Sequence, residues 1–171
     1  MDAVSAMGSS KRRTAKISST SSDPSSRTSR RRFGKLWIQP LPTGQPHRLT
    51  SPDFEPFEYA PAWSPDGHWI AFTSVDNTRA GHLWRVSAAG GAPERLTQRP
   101  GEYFHPAWSP DGKFLIAVRG AGATARGRSL VSNPWYELVR IDAAGGEPQR
   151  ICEIRGVPWE FYDFERTQIP R

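Results

Sequence analysis

Pro61-Ala-Trp-Ser-Pro-Asp-Gly67 and Pro106-Ala-Trp-Ser-Pro-Asp-Gly112 are the same seven residues, with Trp63 and Trp108 45 positions apart. Around them the likeness extends from Tyr59 to Ser74 and from Phe104 to Arg119. Within the string, Ser64, Pro65, Asp66 and Gly67, and again Ser109, Pro110, Asp111 and Gly112, have the chemistry of a tight turn. Proline fixes φ at the first central position, aspartate tolerates the second, and glycine supplies the positive φ that a type I turn with a bulge needs. Each turn should join two antiparallel strands. The segments that follow, Trp69 to Ser74 and Phe114 to Val118, are apolar at nearly every position, which predicts strands covered on both faces.

A second unit alternates with the first. Leu36 to Thr50 recurs without a gap as Leu83 to Thr97 and as Leu138 to Cys152, which aligns Gly44 with Gly91 and Gly146, Pro46 with Pro93 and Pro148, and Arg48 with Arg95 and Arg150. Ala88-Ala-Gly-Gly91 and Ala143-Ala-Gly-Gly146 should be the turns inside this unit, and the prolines mark an outer strand where a missing donor does least harm. The recurrent Trp37, Trp63, Trp84 and Trp108 are expected to pack between units. A period near 45 residues with four short strands in each repeat is the pattern of a β-propeller, because helical solenoids of that period need amphipathic helices. The chain therefore predicts an all-β, incomplete propeller, with a half blade over 35–50 and full blades over 59–97 and 103–152. An insertion, Gly120 to Pro134, lengthens the second full blade between its second and third strands. After Cys152, residues 153–171 read as the start of a diverged blade, through Gly156-Val-Pro-Trp-Glu-Phe-Tyr-Asp-Phe164, or as an unstructured end. A closed propeller has at least about four blades. The count here predicts a fragment of a larger protein or a chain that must associate.

Residues 1–33 are rich in Ser, Thr and Arg, with Val4 and Ile17 as their β-branched aliphatics, and are expected to be a disordered basic tail. The first 35 residues hold nine Lys or Arg against two Asp, whereas the remainder holds 14 basic and 15 acidic residues. The net charge of +6 is thus a property of the tail, and nucleic acid is not the expected partner of the folded part. No apolar run is long enough for a membrane helix, and no signal-peptide pattern is present. The single cysteine, Cys152, gives no disulfide and leaves the compartment open.

The search for chemistry yields no catalytic, cofactor-binding or metal-binding residue. His47, His68, His82 and His105 lack the spacing by which one element offers two metal ligands. No nucleophile elbow occurs, and Cys152 stands where the other copies have Thr50 and Thr97. Asp66 and Asp111 belong to separate turns. The candidates for a contact surface lie off the repeat grid, in and beside the insertion: Arg126, Arg128, Asn133, Trp135 and Tyr136.

These motifs together, Pro-Ala-Trp-Ser-Pro-Asp-Gly, then Leu-Trp, Gly-Gly and Arg-Leu-Thr, resemble the TolB-like (WD-like) propeller repeat over residues 35–152. The resemblance implies a non-catalytic platform for protein or peptide. The alternative it implies is the propeller that precedes an amidohydrolase-related, tricorn-like or prolyl-oligopeptidase-type catalytic domain, in which case the parent protein is a hydrolase. It further implies a periplasmic or exported protein.

Overall fold

The computed structural model describes residues 34–40, 43–75, 81–120 and 136–154, together with the backbone of 13–18. All described elements are strands, in three antiparallel sheets. The first contains β1 (Arg13–Ser18), β2 (Lys35–Pro40) and β3 (His47–Arg48) in that order. The second is the meander β4 (Phe57–Trp63), β5 (Trp69–Val75), β6 (His82–Ser87) and β7 (Glu94–Arg95). The third is the meander β8 (Glu102–Trp108), β9 (Phe114–Gly120), β10 (Tyr136–Asp142) and β11 (Gln149–Ile154). The sheets are blades of an incomplete propeller. β4 and β8 run side by side in the same direction: the Tyr59 hydroxyl donates to the Tyr103 carbonyl at 3.1 Å, and the Trp108 indole to that of Ala62 at 3.1 Å.

Each apolar core lies between two blades. Leu36, Ile38 and Leu49 of the first sheet meet Ile70, Phe72 and Val86 of the second, with Phe54, Trp63 and Trp84 packed against them. Ala71, Leu83 and Leu96 of the second meet Tyr103, Leu115, Ala117, Val139 and Ile141 of the third, with Trp108 alongside. Alternation along β5 explains this division, since Ile70 and Phe72 point to one neighbour and Ala71 to the other. Burial of each large aliphatic side chain is worth about 1.5–3 kcal/mol, so neither core is small.

A backbone clip reinforces each junction. Thr50 bridges Gly91 in parallel, with Gly91 N donating to Leu49 O at 3.0 Å and Ser51 N to Gly91 O at 2.9 Å. Thr97 bridges Gly146 in the same way, through Gly146 N to Leu96 O at 2.8 Å and Gln98 N to Gly146 O at 3.2 Å. Gly91 and Gly146 sit at φ 127° and 144°, where an L side chain is strained. The Gly-Gly turns of the fifteen-residue unit are therefore joints between blades as well as turns within them. Gly44 differs: its N–H is spent within its own blade, on Pro40 O at 2.9 Å.

Two findings depart from expectation. Arg13–Ser18, within the stretch whose composition predicts disorder, pairs with β2 over six residues, Ile17 opposite Leu36. That is the register position held by Thr73 opposite Leu83 and by Val118 opposite Leu138 in the full blades. β1 thus occupies the place of a second strand, and the half blade becomes three-stranded. Strand pairing draws on backbone donors and acceptors at an open edge, which side-chain composition does not report. The rest of 1–33 lies outside the described residues. The second departure concerns β9, expected to be covered on both faces as β5 is. Ile116 and Val118 are only half-buried, as is Leu138 on β10, and Ile151 is 51% exposed. Their counterparts Ala71, Thr73, Leu83 and Leu96 are 0–2% exposed. No described element covers the outer face of the third blade.

Candidate functional site

The antiparallel order gives each full blade two chemically different ends. At one end lie the Ser-Pro-Asp-Gly and Gly-Gly turns; at the other lie the connection between second and third strands and the link to the next blade. The turn end is nearly identical in both copies. Ser64 Oγ donates to Asp66 Oδ1 at 2.6 Å, which also accepts His68 N–H at 2.9 Å, while Trp69 N–H donates to Ser64 Oγ at 2.9 Å. Ser109 Oγ to Asp111 Oδ1 at 2.6 Å, Lys113 N at 3.1 Å and Phe114 N at 3.1 Å repeat the arrangement. Gly67 N and Gly112 N each donate to the serine carbonyl at 2.9 Å, at φ 72° and 70°. Those donors, the serine hydroxyl first, hold both aspartates below the ordinary carboxylate value. Both aspartates are exposed and each faces its own turn, so the arrangement sets backbone geometry and offers no acid–base pair. Arg85 over Trp69 at 4.2 Å and Arg140 over Phe114 at 4.7 Å complete this shared end.

At the opposite end the blades diverge. In the first junction Glu58, fully buried at the start of β4, reaches back into the first sheet. Its Oε2 accepts Leu36 N–H at 2.8 Å and its Oε1 accepts the Thr50 hydroxyl at 2.8 Å. Lys35 Nζ lies 3.2 Å and Arg48 Nη2 3.8 Å from Oε1. Burial pushes the Lys35 ammonium below its ordinary value against the pull of Glu58. At the second junction a threonine hydroxyl takes this place: Leu83 N donates to Thr97 Oγ1 at 3.1 Å, and His82 Nδ1 lies 3.0 Å from Thr97 O. Tyr103 replaces Glu58, its hydroxyl donating to Arg99 O at 2.6 Å. Burial raises the phenols of Tyr59 and Tyr103. In the third blade the cross-strand position held by Ser74 and His82 in the second carries Arg119 and Glu137, a buried ion pair at 2.5 Å. The next pair of the ladder, Gly120 and Tyr136, flanks residues 121–135 in the sequence.

Of the contact candidates, Arg126, Arg128, Asn133 and Trp135 lie outside the described residues. Tyr136 opens β10, half-buried, its ring 6.3 Å from that of Phe104. His47 is exposed on β3, His68 sits in the turn and His105 on β8, so with His82 the four histidines are dispersed. Among the described residues no three His, Cys, Asp or Glu side chains converge as metal ligands would, and no helix is long and apolar enough to cross a membrane. Cys152 is exposed on β11. The sequence reading missed Glu58 and the Arg119–Glu137 pair. Glu58 aligns with Tyr103, and Glu137 with His82, so scanning the repeat for charge where its sister copy is neutral would have exposed both.

No protein-family model matches the chain. It is 35% identical over 83 residues to the uncharacterized peptidase YuxL of Bacillus subtilis, covering 47% of this chain and 13% of that protein. It is 36% identical over 47 residues to the Tol-Pal system protein TolB of Nitratidesulfovibrio vulgaris, covering 28% of this chain and 11% of that one. Among solved structures, one described as a TolB of Agrobacterium tumefaciens superposes with a TM-score of 0.65 at 23% identity, over 84% of this chain and 46% of that chain. The chain thus spans a minor part of the length of each. Repeat sequence, blade topology and these likenesses agree: the chain is built of TolB-like β-propeller blades.

Proposed function

We propose that these blades form a non-catalytic platform that binds protein or peptide at the end where the second-to-third-strand connections emerge. One observation carries this reading. The repeat keeps its turns constant at one end and changes length and charge at the other, from the five residues 76–80 to the fifteen residues 121–135, and from Ser74 and His82 to Arg119 and Glu137. In repeat proteins, insertions collect on the face that meets a ligand. The extended segment holds Arg126 and Arg128 with Trp135, residue types that anchor interfaces.

Exchanging residues 121–135 for the sequence of 76–80 should retain the strand signal in circular dichroism and remove binding to a peptide array. An array unbound by the unaltered chain, or bound equally after the exchange, would refute the platform. The identity with YuxL supports a second reading, in which the blades belong to a peptidase and present its substrates. Joined to the downstream domain of such a protein, they should change which peptides are cleaved, and unchanged specificity after the same exchange would count against it. An envelope location, as the Tol-Pal likeness suggests, belongs to this proposal as well.

A further inference from the structure

The outermost strands of the three sheets are unequal. β3 and β7 are two residues long, whereas β11 runs for six, Gln149–Ile154. The difference follows from the clips. Thr50 and Thr97 leave their blades to bridge Gly91 and Gly146. Cys152, at the same place in the repeat, stays in the ladder opposite Leu138, and Glu153 and Ile154 continue it opposite Glu137 and Tyr136. One side of β11 is bonded to β10, and the described sheet ends at the other. Residues 149–153 are exposed, and Ile151, at 51%, is the most exposed large apolar side chain among the described residues. A long edge that presents a row of backbone donors and acceptors, with an apolar residue in its middle, is a template for another strand. Brevity protects the equivalent edges of β3 and β7, and β11 lacks that protection.

We propose that β11 pairs with β11 of a second copy of the chain, antiparallel, about a two-fold axis between Ile151 and Cys152. In this register the edge is complementary to itself. Arg150 stands opposite the second copy's Glu153, and by symmetry Glu153 stands opposite its Arg150. The faces agree as well. Arg150 and Glu153 lie opposite Val139 and Glu137 across the β10–β11 ladder. Those two, alternate residues of one strand, share the face that packs toward the second blade. A two-fold axis normal to the sheet keeps that face common to both copies. A slip of one residue would set Arg150 against Cys152 or Ile154, whose ladder partners Leu138 and Tyr136 belong to the other face. Two opposite-charge pairs formed by one strand with itself favour a second copy over an unrelated strand, and the pairing joins two four-stranded sheets into one continuous sheet.

Sedimentation equilibrium of the full chain, under reducing conditions that keep Cys152 from forming a disulfide, should show monomer in equilibrium with dimer. Arg150→Glu and Glu153→Arg each set like charges opposite one another twice, and each should weaken the dimer about 10-fold or more. The double variant should restore it. Circular dichroism shows whether each variant keeps its strands. In the unaltered chain, amide exchange along 149–154 should slow as dimer forms, a readout that needs no variant. A chain that stays monomeric at every concentration would overturn the proposal, as would single reversals without effect or a double variant that fails to recover. A dimer that forms with no slowing along β11 would overturn it by placing the contact elsewhere, such as on the outer face of the third blade.

Discussion

Ala60 and His105 adopt φ 50° and 49° although neither is glycine. Each precedes the proline of its motif, and at each the strand register shifts, between Tyr59 and Ala62 and between Phe104 and Ala107. A bulge that turns the innermost strand is built into both blades, at a cost of about 1–2 kcal/mol per residue for the left-handed conformation. Glycine at this position removes that cost but adds about 0.5–1 kcal/mol of chain entropy. His105→Gly is therefore expected to raise stability by roughly 0.5 kcal/mol, read from urea unfolding. The turn aspartates make a different residue-scale prediction. Their carboxyls sit below the ordinary value in the folded chain, so folding releases protons and their contribution is complete above the ordinary carboxylate range. It fades as pH falls through that range. Asp66→Asn with Asp111→Asn should flatten the decline of Tm between about pH 5 and 3. An unchanged slope would show that other carboxylates set the acid limit.

Among the elements, β4 has the most to lose from a single change. Glu58→Gln keeps shape and some hydrogen bonding but leaves the Lys35 ammonium, already depressed by burial, without its anion. A loss of about 3 kcal/mol is expected from breaking a buried pair, measured by denaturant unfolding. The blades, their turns and the outer strands were legible from the sequence because glycine, proline and serine state their backbone demands locally. Glu58 was not, because its partners Leu36 and Thr50 lie on another sheet and only the folded register brings them together. β1 was illegible for a related reason: an edge accepts backbone regardless of side chains. The half-buried face of β9 was misread because an apolar sequence states a preference for burial, not the presence of a neighbour.

For the whole molecule, the division between a constant end and a variable end separates what holds the blades together from what distinguishes them. The two cores share no residue, and each clip joins only adjacent blades, so stability is a sum over neighbours rather than a property of one common interior. The second blade is held on both sides, whereas each outer blade has a single described junction. Under mechanical load such an assembly behaves as links in series. Force applied through the ends should peel the outer blades away first, baring Phe72 and Leu83, the side chains that the second blade turns toward its two neighbours.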